Sequence, residues 1–307
     1  MGDTGAAGPE ARSAERRRRL AGSLRARLAR LSQRHPKLAS TLVEPALAIA
    51  PRLRHDDVGT NAGALTYSAF LSIPPILLLA LSIAGFVMNN PANEKALVDS
   101  IVAAVPGLEG AASSTIQRAI DGRVTVGLIA VPGVLWTASG MAARARHALG
   151  IVFDTGWSGL MAGRLHALVI ALPLGLGLLV LLGIGSLTSV LGSTGSIGVV
   201  VEIAIFAALV LTHVLYAILL FRLLTPGQVV PTRDHVPGAL LFTVCWFGLQ
   251  AVGAYYVAAV VARASALYGA LGSIFGLIAF LYIASYAFLL SAELSAILRE
   301  RRERTGE

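Results

Sequence analysis

The sequence predicts an all-α, polytopic membrane protein of about six transmembrane helices, and three observations carry that expectation. Charged residues make up only 14% of the 307-residue chain against 55% apolar ones, with a mean hydropathy of +0.72. Soluble domains carry roughly 25% charged residues. Several uncharged runs exceed the roughly 20 residues that a helix needs to cross a bilayer. The basic residues gather at the flanks of these runs, 12 of the 25 lying before position 55. That is the distribution the positive-inside rule produces, so the net charge of +8 does not by itself point to nucleic acid.

The elements follow in order. Residues 1–57 are expected to be a basic cytoplasmic tail, and 299–307 a charged cytoplasmic one, with a six-span membrane domain over 58–298. The start, "MGDTGAAGPEARSAE", is small and polar and is expected to be disordered. In "RRRRLAGSLRARLARLSQRH", Leu20, Leu24, Leu28 and Leu31 recur at helical spacing among arginines, the pattern of an amphipathic helix lying on anionic headgroups. A solvated basic tail that only fixes topology is the alternative. No leading apolar core with a cleavage site is visible, so the first span is expected to act as the insertion signal.

Spans are predicted at about 62–88, 124–143, 165–192, 197–221, 236–261 and 268–292. Between the first two, Leu97, Ile101, Ala104 and Val105, then Ile116 and Ile120, suggest amphipathic helices along the outer face. Segment 89–123 is slightly acidic and "GSTGS" at 192–196 is uncharged. Arg144, Arg146 and Arg164, then Arg222 and Arg233, then four C-terminal arginines mark the alternate loops. This alternation places both termini in the cytoplasm; Arg263 is the one exception. The 32 glycines, among them Gly175, Gly177, Gly183 and Gly185, fit close packing of long helices. The single cysteine, Cys245, excludes an intrachain disulfide and reads as a small packing residue.

Three stretches carry a family resemblance. "LTYSAFLSIPPILLL" presents Tyr67, Ser72 and Pro75; "VPGALLFTVCWFGLQ" presents Pro237, Gly238, Ala239, Trp246 and Gln250; "LYGALGSIFGLIAFLYIASYAFLLSAELSAIL" closes the last span. In this order the chain resembles, from about residue 55 to 300, the YihY/BrkB family of six-span bacterial inner-membrane proteins once labelled ribonuclease BN. Ser291 stands where that family usually has glycine, and Gly150 where asparagine is frequent. The resemblance implies a role in the cell envelope, with integrity or transport as its suggested forms.

The chemistry itself is sparse. A metal-dependent ribonuclease needs clustered His and Asp ligands. Of the six histidines, only His55 in "HDD" has adjacent acidic candidates, Asp56 and Asp57, and no second cluster completes a site. No nucleophile-elbow, Walker or Rossmann pattern stands in a suitable context. The expectation is therefore a protein that is not an enzyme, with no catalytic residue, cofactor, metal or nucleic acid. The better leads are polar groups at membrane depth. Tyr67 and Ser72 precede Pro74 and Pro75, a pair expected to kink or break the first span and free carbonyls near Leu71. His213 lies near mid-membrane in the fourth span, either in a plain interhelical hydrogen bond or in a relay. Glu293 lies at the inner end of the sixth, in a structural ion pair or in a cytoplasmic vestibule. With Gln250 from the resemblance, these form the candidate polar site. Two function classes remain: a transporter or lipid-handling protein for a lipid or small solute, or a non-catalytic envelope component acting through partners. A polar cavity open to one face favours the first; sealed packing of the same groups favours the second.

Overall fold

A computed structural model of the chain describes residues 44–87, 122–156, 167, 169–170, 173–177, 199–227, 230–256 and 262–306. The chain divides into two compact units, 1–52 and 53–307, and only the second is described at length. Among the described residues the elements are all α-helices: α1 (Glu44–His55), α2 (Val58–Val87), α3 (Arg123–Val152), α4 (Val199–Leu224), α5 (Thr232–Tyr256) and α6 (Ala262–Thr305). Helix α1, Glu44–His55, lies inside the segment expected to be a tail. The basic leucine helix and the interspan amphipathic helices lie outside the described residues.

Five of these helices are long and apolar enough to cross a membrane: Val58–Leu79, Val124–Val152, Ile203–Leu224, Thr232–Gly253 and Ile274–Thr305. They match the first, second, fourth, fifth and sixth predicted spans. The helices outrun the predicted spans because Ala, Arg and Leu, strong helix formers, continue them past the apolar run. Thus "RARHALGIV" extends α3 to Val152, and "RERRERT" extends α6 to Thr305. The predicted third span lies mostly outside the described residues. Its visible part, Ala167, Ile170 and Leu174, is helical and packs into the core. The Tyr216 hydroxyl of α4 donates to the Leu174 carbonyl at 3.2 Å, so this segment runs beside α4.

The core is concentrated at one end of the bundle. It joins the start of α2 (Val58, Ala62, Leu65) to the ends of α3 (Ala145, Leu149, Val152), α4 (Ala217, Phe221, Leu224) and α6 (Leu289, Ala292, Ala296), and to Ala239 of α5. Helix α6 packs on α5, α2 and α3, and α5 also packs on α4, so α6 is the central strut. Aromatic rings weld this end: Phe221 stacks on Phe288 at 5.0 Å, and Phe242 meets Phe288 edge-on at 5.7 Å. Toward the other end large apolar side chains face outward, Leu128 at 71% and Phe275 at 69% exposure. Contiguous apolar surface of this kind marks contact with lipid.

Polar side chains obey the rule for helices in lipid, where a hydroxyl must find an acceptor inside the protein. Thr66, Ser72, Thr243 and Ser291 each donate to the carbonyl four residues back, at 2.7 to 2.8 Å. The expected break at Pro74-Pro75 is absent: α2 is helical without interruption from Val58 to Val87. Proline removes a donor but does not forbid helix when neighbours support it. Here Gly133 of α3 faces Pro75 so closely that a Cβ would meet the ring at 3.3 Å.

Candidate functional site

Two polar regions emerge in the membrane domain. The first is a cleft of about 440 Å³ between α2 and α3. Its α2 wall is Asn61, Ala64, Tyr67, Ser68 and Leu71, and its α3 wall is Trp136, Thr137, Gly140, Ala143, Arg144 and His147. Each set follows three- and four-residue spacing, so each is one helix face. Small residues on the two faces (Ala64, Ser68, Gly140, Ala143) open the space between backbones. A Cβ added at Gly140 would meet nothing within 4 Å. Ten or eleven residues at 1.5 Å each give a cleft roughly 15 Å long, about half of a 30 Å hydrocarbon core. Tyr67 and Trp136, 58% and 65% exposed, leave it open to the side.

The polar groups of the cleft are graded along it. Asn61, Arg144 and His147 lie toward the core end; Leu71 and Trp136 lie toward the other. Asn61 Nδ2 donates to the Asp56 carbonyl at 3.0 Å, fixing the turn that starts α2. Ser68 donates to the Ala64 carbonyl at 3.0 Å, and Thr137 to that of Gly133 at 3.0 Å. Arg144 is exposed. Two residues on, Arg146 points elsewhere: its Nη1 donates to the Leu223 carbonyl at 2.9 Å, satisfying the C-terminal turn of α4. Arg144 thus faces the cleft, while its near neighbour is a structural cap.

The second region is the buried crossing of α5 and α6. Glu293 is 0% exposed, with Ser291, Ser295 and His235 buried at the same end of the bundle. The Gly238 amide donates to Ser295 Oγ at 2.9 Å. Asp234 in the first turn of α5 accepts from Arg302 Nη1 at 2.8 Å. His235 lies between rings, edge-on to Phe153 at 5.3 Å and stacked with Phe221 at 6.3 Å. This region is packed shut and has the character of a structural joint.

The candidate residues therefore divide. Tyr67 lines the cleft. Ser72 is sealed by its own helix, one turn from Ser68. Pro75 packs on Gly133. His213 Nδ1 lies 3.0 Å from the Leu209 carbonyl of its own helix, so that nitrogen carries the proton, and its ring meets Phe247 at 4.9 Å. Gln250 is exposed near the far end of α5. Glu293 lies in the joint. The six are not one site. His55 Nδ1 sits 2.7 Å from Asp56 Oδ1, and among the described residues no group of three or more His, Cys, Asp or Glu side chains gathers as metal ligands would. The sequence reading missed Asn61, Trp136, Thr137, Arg144 and His147. The available signal was their helical spacing alongside small residues on two successive spans.

Five long apolar helices, outward apolar faces and hydroxyls satisfied within their own helices define a multi-pass helical membrane protein. The family model described as virulence factor BrkB matches residues 49–307, and the chain belongs to that family. It is 25% identical over 264 residues to the ribonuclease-like protein YfkH of Bacillus subtilis (strain 168), covering 81% of this chain and 92% of that one. It is 31% identical over 99 residues to the inner membrane protein YhjD of Escherichia coli (strain K12), covering 31% of this chain and 29% of YhjD. An uncharacterized protein of Dickeya dadantii (strain 3937) is 38% identical over 78 residues, 24% of each chain. No solved structure matches.

Proposed function

We propose that this chain is a transporter or lipid-handling protein of the cell envelope, acting on a membrane-borne amphiphile held in the α2–α3 cleft. The observation that carries the reading is the cleft itself: side-open, graded from polar to apolar, and lined by Tyr67 and Trp136. Its volume falls in the range of roughly 300–1,000 Å³ typical of small-molecule sites. Its length matches one leaflet. The proposal places the protein in the inner membrane with both termini in the cytoplasm and the basic tail on anionic headgroups. The alternation of basic and acidic loops supports that placement, as does the printed name of YhjD, an inner membrane protein. It assigns no catalysis, and leaves the ribonuclease-like name with YfkH.

A non-catalytic envelope component is the second reading. The sealed packing of Ser72 and Glu293 favours it. Gly140→Leu separates the two. A Cβ here meets nothing within 4 Å, the larger side chain fills the cleft, and replacing a mid-helix glycine removes a propensity cost of roughly 1 kcal/mol. In a strain lacking the gene, the transport reading expects wild type to restore resistance to envelope stress and Gly140→Leu, at equal abundance and melting temperature, to fail. Full restoration by Gly140→Leu would favour the component acting through partners.

A further inference from the structure

We propose that the α2–α3 cleft selects a lipid with a net-negative headgroup, and that Arg144 is the group that reads the charge. The proposal rests on the reading of the cleft as an amphiphile site and adds the substrate class.

The argument starts from position. Arg144 is eight residues before the end of α3 at Val152, roughly 12 Å along the axis. Helix α3 is 30 residues, roughly 45 Å, against a hydrocarbon core of about 30 Å, so its last turns run past the apolar layer and Arg144 lies near headgroup level, within reach of lipid phosphates. Among the described residues Asp56 pairs with His55, Asp234 with Arg302 and Arg233, and Glu303 with Arg299. Among the described residues no ion pair engages Arg144. Arg146, in contrast, is spent on the Leu223 carbonyl. His147 is one turn from Arg144 on the same cleft wall. Its imidazole adds a second polar group at the same level.

The remainder of the cleft fits the rest of a lipid. Beyond Arg144 the walls carry Gly140 and Leu71, and the hydroxyls of Ser68 and Thr137 are turned back onto carbonyls of their own helices, with Tyr67 and Trp136 at the open side. Aromatic rings with a polar handle sit well where a glycerol backbone gives way to acyl chain. A guanidinium presents a planar fork to phosphate oxygens, and a headgroup without a compensating ammonium leaves that charge available to it. A zwitterionic lipid carries its own cation and gains less. The selection is therefore by net charge, with the chains accepted on shape alone.

The test uses the full chain in nanodiscs of phosphatidylcholine doped with a minor fraction of phosphatidylglycerol. A photo-reactive p-benzoylphenylalanine replaces Leu71 inside the cleft, or Leu128 on the outer lipid face as a control, and the captured lipids are weighed by mass spectrometry. The expected result is phosphatidylglycerol captured from position 71 about ten-fold above its share in the disc, the ratio one charge-assisted contact supports. Arg144→Gln should return it to its share, and Arg144→Lys should keep part of the excess. Capture from position 128 should follow the disc composition throughout. Capture at position 71 that follows the disc composition in the wild-type background would overturn the charge selection while leaving the cleft reading intact. No lipid captured at 71 while 128 captures normally would overturn the cleft reading itself. Loss of the excess on adding inorganic phosphate alone would reassign Arg144 to a free anion and also defeat the proposal.

Discussion

The backbone amide of Gly238 donates to Oγ of Ser295 at 2.9 Å, tying the start of α5 to the end of α6 across 57 residues of sequence. The contact is possible only because residue 238 has no side chain. A Cβ there would overlap the Ser291 carbonyl oxygen and sit 2.5 Å from Ser295 Oγ. Close helix crossings in membranes are built on such residues, since without a hydrophobic drive helices gain by near contact of backbones.

Gly238→Ala is accordingly expected to destabilise the protein. The methyl group would meet backbone, which cannot swing aside as a flexible side chain can. Overpacking of this kind costs about 1–3 kcal/mol. Thermal unfolding in detergent should show a lowered melting temperature, whereas Gly248→Ala, on the same helix but in open space, should melt as wild type or higher. Equal melting of the two variants would refute the crossing as a point of strain.

The same glycine shows what the sequence made legible. Helix type and five of the spans follow from run length and composition, which are local, whereas close packing does not: of the glycines singled out by spacing, Gly177 lies against Tyr216 and Gly175 faces open space. The Pro74-Pro75 pair, expected to kink or break the span, does not break it, because continuity at proline depends on what packs beside it, here Gly133 of the next helix. The cleft was half legible. Tyr67 stood out by its motif and depth. Arg144 reads as loop charge and His147 falls beyond the span, because the predicted second span ends at residue 143 while the helix runs to Val152. Extending that helix by nine residues moves both onto the face opposite Asn61 and Tyr67.

The ion pair between Asp234 and Arg302 makes a second prediction. Asp234 is buried and Arg302 half-buried, so the pair is worth more than a surface one but remains partly screened. Asp234 also lies in the first turn of α5, where the helix dipole favours an anion. Asp234→Ala should cost about 1–3 kcal/mol. Arg302→Ala should cost less, and the double variant should cost less than the two singles added. Strict additivity in that cycle would mean the two side chains do not cooperate.

Orientation can be read by chemical labelling. The start of α2 and the end of α6 share the core end of the bundle, through Val58 and Ala296. With cysteines at Ser32, Ser113 or Thr305 in a Cys245→Ala background, only Ser113→Cys should react with an impermeant thiol reagent in intact cells. Labelling of position 32 or 305 from outside would invert the proposed topology.

RNA cleavage is not expected from the purified protein. His55 is already engaged by Asp56 at 2.7 Å, and no second ligand cluster gathers near it among the described residues. Metal-dependent cleavage that co-purifies with wild type and vanishes in Asp56→Ala would contradict this.

Glu293 carries the last prediction. It is fully buried on α6, flanked by Ser291, Ala292, Ser295 and Ala296, all nearly or wholly inaccessible, at the joint that Gly238 closes. A carboxylate so enclosed has no path to a substrate in the α2–α3 cleft, none of whose walls it forms. We infer that it holds the joint. Glu293→Gln keeps volume and most hydrogen-bonding capacity and removes only charge. Glu293→Ala also opens a cavity and strips the polar contacts of the site, a change that costs about 2–4 kcal/mol in buried positions. The expected order of melting temperature in detergent is wild type, then Gln, then Ala, with lipid capture at Leu71 unchanged in whatever fraction stays folded. A Gln variant that melts like wild type yet loses function would move Glu293 out of the joint and into the transport path. Wild-type melting of the Ala variant would show that the carboxylate holds nothing together.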